Sequence, residues 1–304
     1  MIKSAFLLLL SAAACPSATI LYSISNTGDL YSTNTSLTSV TSIGSGGVFS
    51  PGSGYIGLAA NGTGVGANLY TFSSTTNSFY QVDTATGTQT LTRAISSGFR
   101  LDANSNAVPI SEGDIVFTSA TSGFLASQGF SAWDFYSFNL NSSALTLLGS
   151  CVGVANASAA CADGINRTGL DGLYSDGAVL YGFQGNNTNA RGLVTVNTAN
   201  GNRTLVGSTG QQANTGGNGG LAKDPNSSNI WAVISNNLTA GLFNVNISSG
   251  AFTSIGTITG VTANQALVGL AYLTTADVVP VIPEPSTIIL MASAVVVLYL
   301  RRRF

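Results

Sequence analysis

Apolar and polar residues alternate along most of this chain, in short runs broken by clusters of Thr, Asn, Ser and Gly. A period of two sends successive side chains to opposite faces, so each run predicts a β-strand and each polar break a turn. The runs also recur. "LYSTNTSLTSVTSIG" (30–44), "FYSFNLNSSALTLLG" (135–149), "LVTVNTANGNRTLVG" (193–207) and "LFNVNISSGAFTSIG" (242–256) each carry an apolar pair, then Asn, then Gly ten residues beyond it. A fifth copy, "FYQVDTATGTQTLTR" (79–93), has Asp83 for the Asn and Arg93 for the Gly. The anchors Asn34, Asp83, Asn139, Asn197 and Asn246 lie 49, 56, 58 and 49 residues apart. Periods of about 50 residues belong to propellers and solenoids.

Each copy reads as a hairpin, and two further strand-like pieces precede it, such as "GGLA" at 219 and "NIWAVIS" at 229. Four strands per unit make a propeller blade, whereas a parallel solenoid needs shorter repeats without the internal hairpin. The expected fold is therefore all-β: a propeller of about five four-stranded blades over residues 19–277. The ends predict how the ring closes. "LVGLAYL" (267–273) matches the inner-strand pieces "IGLAA" at 56 and "GGLA" at 219 but has no outer strands after it. "ILYSIS", "DLYSTN" and "SVTSIG" near the start lack an inner strand of their own. Pairing the last strand with the first three completes a blade and removes an exposed edge.

Residues 1–18 depart from this pattern: Lys3, an apolar run from Ala5 to Leu10, then small residues, the order of a secretory signal peptide. Signal peptidase is the implied partner, with cleavage after Ala14 or Ala18. At the other end, Pro283-Glu284-Pro285-Ser286 is followed by an apolar segment over 287–300 and by Arg301, Arg302 and Arg303. That segment predicts a short C-terminal transmembrane helix. At 14 residues it falls short of the roughly 20 a comfortable bilayer span needs. The arginines place the C-terminus in the cytoplasm and the body outside.

Composition narrows the chemistry. The chain has 304 residues, 44% of them hydrophobic and only 7% charged, and no histidine. Nucleophile systems built on His and histidine metal sites are excluded, leaving carboxylate-only chemistry or Lys and Tyr bases. Apart from the terminal Lys3 and Arg301 to Arg303, six basic residues face eleven acidic ones between Asp29 and Asp277. A mildly acidic body without basic clusters argues against binding nucleic acid.

Four groups of residues are candidates for more than folding. Cys151 and Cys161, ten apart in "CVGVANASAAC", read as a disulfide in an exported protein, stapling a long insertion by roughly 2–3 kcal/mol. Asp102, Asn104, Asn106 and Glu112, with Asp114 beyond, space oxygen ligands as Ca2+ prefers; Ala107 and Gly113 depart from the EF-hand pattern, and a plain polar loop is the competing reading. Asp163, Asp171 and Asp176 are the acids available to a carbohydrate-active enzyme with paired carboxylates, although they sit in Gly-rich turns that favour Asp for backbone bonding. Trp133, Trp231 and several Tyr are candidates for stacking on sugar rings in a glycan-binding module, although most aromatics occupy repeat positions that favour the core.

In order, spacing and position, residues 283–304 resemble the PEP-CTERM sorting signal of bacterial exported proteins, and the body resembles the loosely repetitive propeller domains such proteins often carry. The resemblance implies recognition of the 278–304 tail by an exosortase-like membrane cysteine peptidase. It also implies transient inner-membrane anchoring, then release or transfer to the cell surface or the extracellular polysaccharide matrix. The combined expectation is an exported, non-catalytic surface or matrix protein, with the enzyme and the glycan-binding module as the two alternatives.

Overall fold

A computed structural model describes residues 18–33, 38–44, 54–129, 132–152, 170–183, 192–210, 218–236 and 238–275. They form twenty strands: β1 (Ala18–Ser25), β2 (Leu30–Thr33), β3 (Val40–Gly44), β4 (Tyr55–Ala60), β5 (Leu69–Ser73), β6 (Ser78–Val82), β7 (Gln89–Ala94), β8 (Glu112–Phe117), β9 (Ser122–Gly129) and β10 (Ala132–Asn139), followed by β11 (Thr146–Val152), β12 (Gly172–Ser175), β13 (Leu180–Phe183), β14 (Gly192–Val196), β15 (Arg203–Ser208), β16 (Asn218–Lys223), β17 (Ile230–Ser235), β18 (Ala240–Val245), β19 (Phe252–Thr257) and β20 (Leu267–Thr275). They assemble into five four-stranded sheets. Four are consecutive in sequence, β4 to β7, β8 to β11, β12 to β15 and β16 to β19; the fifth is β20-β1-β2-β3. The inner strands touch in the order β20, β4, β8, β12, β16 and back to β20, so the sheets are the blades of a closed five-bladed propeller. The last strand joins the first three, as the end sequences predict. The expected signal peptide over 1–18, except Ala18 in β1, and the expected helix over 287–300 lie outside the described residues.

Burial explains the sequence texture. Inner and second strands such as "YIGLAA" and "IWAVIS" are almost wholly buried because blades cover both their faces. Outer strands such as "QTLTRA" and "RTLVGS" are largely open, with one buried residue at the start. Aromatic rings fill the wedges between blades; the Phe79, Phe117 and Phe138 rings meet at 4.5–5.1 Å between centroids.

Both repeat anchors have backbone tasks. The Asp83 and Asn246 side-chain oxygens accept two N–H groups each of the outer hairpin turn, at 2.8–3.1 Å, and the Asn197 oxygen accepts one, from Ala199. Such Asx turns hold the chain for the left-handed glycine that follows, Gly87, Gly201 or Gly250, at φ of 72–77°. The Gly ten residues on belongs to a joint between blades. Gly44, Gly149 and Gly207 each lie against the next blade's turn, where a Cβ would run into the backbone oxygen of Thr86, Asn200 or Ser249. Arg93, the exception, spans the same joint with its side chain, Nε donating to the Leu140 carbonyl at 2.7 Å. The register of each outer pair slips by one residue just before this position. These bulges aim the glycine at its neighbour and also blunt the exposed edge strand.

A methyl at this joint meets backbone, which cannot move aside. Gly207→Ala is expected to destabilise the ring by about 1–3 kcal/mol, whereas Gly64→Ala, with nothing within 4 Å of the new carbon, serves as the neutral control. Thermal melting reads both. Equal melting of the two variants would mean that the repeat glycine has another role.

Candidate functional site

The inner strands run parallel around the axis, and one level of the ring is built from a matched residue on each: Gly269 on β20, Gly57 on β4, Asp114 on β8, Gly172 on β12 and Gly220 on β16. Packing here is backbone against backbone. A Cβ on Gly220 would strike Gly269 and Leu270, and one on Gly269 would strike Gly57 and Leu58. One on Gly57 would strike the Asp114 carboxyl, while Gly172 lies against Gly220. Contact thus passes around the whole ring.

Asp114 is the exception among the glycines. Its side chain is 1% exposed. One oxygen accepts the N–H of Ile115 at 2.8 Å, and the other accepts the N–H of Leu173 on β12 at 2.7 Å. The N–H of Leu58 on β4 also faces the carboxyl. Burial pushes this carboxyl well above the ordinary carboxylate range; the three N–H groups pull the other way, and the neighbouring Asp171 adds to the rise.

Beyond this floor the inner strands line a funnel of about 500 Å³. Its wall is apolar and small, with Ala59, Val116, Ala222 and Ala271 following the floor residues in turn. Its mouth is polar, with Asn61, Thr63, Ser119, Ser175, Asp176 and Lys223. Two half-buried tyrosines also line the funnel, Tyr174 two residues beyond Gly172 and Tyr272 three beyond Gly269. Tyr174 stacks on Tyr181, ring centroids 6.2 Å apart and planes at 14°. Its hydroxyl is pushed up to about 12 by burial, then by Asp176 and Tyr181. Burial, then Asp224, raises the Tyr272 hydroxyl as well. Both are neutral donors at physiological pH.

The acids weighed from sequence separate in space. Asp176 lines the mouth, but one oxygen accepts the N–H groups of Ala178 and Val179 at 2.9 and 2.7 Å. Those bonds hold its carboxyl below the usual range, with Lys223 across the mouth helping. Asp171 is 1% exposed, below the funnel, and Asp163 lies outside the described residues. Of the two readings weighed for the tryptophans, sugar platform and core, both residues take the core one. Trp133 is 3% exposed with the Arg203 guanidinium 4.5 Å from its ring centre, and Trp231 is 7% exposed. Interleaved burial between blades removes their faces from any ligand.

In the calcium candidate, one Asp102 oxygen accepts the N–H groups of Asn104 and Asn106, both at 2.8 Å, and the Asn106 amide donates to the other. Glu112 opens β8 opposite Gln128, and Asp114 is in the axial floor and not in this loop. Among the described residues no three Asp, Glu or Cys side chains gather to hold a metal. Cys151 sits on β11 opposite Trp133; Cys161 lies outside the described residues. So do Pro283, Glu284, Pro285, Ser286 and Arg301 to Arg303. Sequence reasoning weighed tyrosines for stacking without singling out Tyr174 or Tyr272, and it missed the axial place of Asp114. The available signal was alignment of the inner strands, which sets "EGDIVF" against "YIGLAA" with Asp in the glycine column.

Residues 281–303 match the PEP-CTERM protein-sorting motif. No curated protein matches the chain. Among solved structures, it is similar to a chain of a nidogen/laminin complex (14% identity over 85% of this chain and 100% of that one, TM-score 0.47). It is also similar to TolB from Acinetobacter baumannii (11%, 85% and 67%, TM-score 0.36). A further similarity is to the PQQ-bound form of an aldose sugar dehydrogenase from Streptomyces coelicolor (11%, 80% and 73%, TM-score 0.40).

Proposed function

From a chain that carries a PEP-CTERM sorting motif behind a five-bladed propeller, we propose an exported, non-catalytic protein of the cell surface or its polysaccharide matrix, which holds an uncharged glycan in the axial funnel. The motif at 281–303 implies export and exosortase-type sorting, and it is the observation that carries the reading. The tail is the substrate of an exosortase-like membrane peptidase, and its apolar segment anchors the chain in the inner membrane only until it is processed.

Two features of the funnel support the rest. The described carboxyls near it are engaged: Asp176 is held by its own turn and Asp114 by the floor, so among the described residues no open acid pair lines the funnel. The lining offers two tyrosine rings with neutral hydroxyls, amide and hydroxyl groups at the mouth, and a single acid facing a single base. Such a lining suits a ligand with apolar ring faces and many hydroxyl groups, and gives no net field for an ion.

A glycan array on the purified protein tests this, with Tyr174→Ala as the probe of the funnel. A bound neutral glycan is expected, weakened on the order of tenfold or more by the substitution, about 1.4 kcal/mol, with the melting temperature kept. Equal binding by the variant would place the ligand elsewhere. Release of new reducing ends from a bound glycan would favour the enzyme.

A further inference from the structure

We propose that Asp114 is the axial keystone of the ring: its carboxyl stands where the other four blades have glycine, accepts the Leu173 N–H of β12 and is packed against Gly57 and Leu58 of β4, so that it ties β8 to the blades on both sides. Four of the five inner strands solve the close approach at the axis by having no side chain at this level. That solution has a cost. Inner strands have a neighbour on one side only, so the N–H groups that face the axis find no partner in their own sheet. Where Gly meets Gly, backbones close the space; around β8 a side chain with two acceptor oxygens does so.

The geometry fits this role in three ways. The oxygens are divided between blades, one taking Ile115 of its own strand and the other Leu173 of the next blade, while Leu58 of the preceding blade faces the same group. Gly57 has φ of 66° and coincides with a register slip in the pairing of β4 with β5, which brings its backbone close to the Asp114 carboxyl. The carboxyl is too buried to meet solvent or substrate. Asp171, just before β12, is the acidic group that faces it; the described basic side chains nearest Asp114 in sequence, Arg100 and Arg93, are engaged elsewhere, with Asp134 and the Leu140 carbonyl. Leu58, Ile115 and Leu173, whose N–H groups it gathers, also line the funnel. The keystone therefore fixes the floor beneath any ligand without touching it.

The test compares the full chain with Asp114→Gly, which copies the other blades, and Asp114→Asn, which keeps the volume but turns one acceptor into a donor facing an N–H group. Asp114→Gly is expected to lower the melting temperature by roughly 5–10 °C, since buried N–H groups lose their acceptor. Amide exchange should accelerate on the order of 100-fold at Leu58 and Leu173, ahead of the β18 amides in a blade that Asp114 does not touch. Melting of Asp114→Gly within about 1 °C of the parent, or acceleration spread evenly over the ring, overturns the proposal. Where the Gly variant fails to accumulate folded, Asp114→Asn decides. A lowered melting temperature with excess exchange at Leu58 or Leu173 supports the keystone, and melting at the parent's temperature overturns it.

Discussion

Ending the chain after Ala266 is expected to abolish the folded ring, whereas ending it after Val279 leaves a body that melts as the full chain does. The shorter chain lacks β20, the inner strand of the blade that β1, β2 and β3 cannot complete. With β20 go the buried side chains of Leu267, Val268, Leu270, Ala271 and Leu273. At roughly 1.5–3 kcal/mol for each large one, their loss is comparable to the whole stability of a typical domain, about 5–15 kcal/mol. Polar ties go too: Ser23 Oγ donates to the Gly269 carbonyl at 2.6 Å, and the Leu267 N–H donates to Ser235 Oγ at 3.0 Å. What remains is a three-stranded sheet with a bare inner edge, beside a gap between β16 and β4. Tyr31 still reaches Thr262 and Gln265, but that latch closes nothing once the strand behind it is gone. Calorimetric or circular-dichroism melting of the two chains distinguishes the cases. A normal transition for the Ala266 chain would mean that the ring does not depend on closure.

The second large effect is one of place. Removing 280–304 takes away the Pro-Glu-Pro-Ser segment, the apolar stretch and the arginines, and leaves all twenty strands untouched. The Val279 chain should fold, be exported, and then escape into the medium, since nothing remains to halt it at the membrane or to present it to an exosortase. The two truncations thus fail differently, one in folding and one in address.

Much of the ring was legible because its repeat residues do backbone work that admits few substitutes. An Asn or Asp that turns a hairpin and a Gly that meets the neighbouring blade recur from blade to blade, as at Asn197 with Gly207 and Asn246 with Gly256. Arg93 looked like a broken repeat, and its side chain spans the same joint. The site was harder to read. Tyr174 and Tyr272 belong to inner strands whose other residues are small or buried, and no shared repeat position marks them, since one lies two residues beyond its floor glycine and the other three. Asp114 follows a polar loop closely enough in sequence to be grouped with Asp102, yet the strand that begins at Glu112 carries it to the axis. Trp133 and Trp231 have the size of a sugar platform, but a propeller covers both faces of its inner and middle strands, and they are buried there. Sequence spacing records neighbours along the chain; the site is made by residues about 50 positions apart.

The 281–303 motif is expected to be read as an address and then removed. Peptide mapping of the C-terminus tests it, on protein recovered from cells with an exosortase and from cells lacking one. With the peptidase, the body recovered at the surface or in the matrix should end within or before the Pro283 to Ser286 segment, and peptides reaching Arg301 should be absent. Without it, the full tail should stay with the membrane fraction. Recovery of surface protein that still carries Arg301, Arg302 and Arg303 in both kinds of cell would contradict the account, because the tail would then be a permanent anchor.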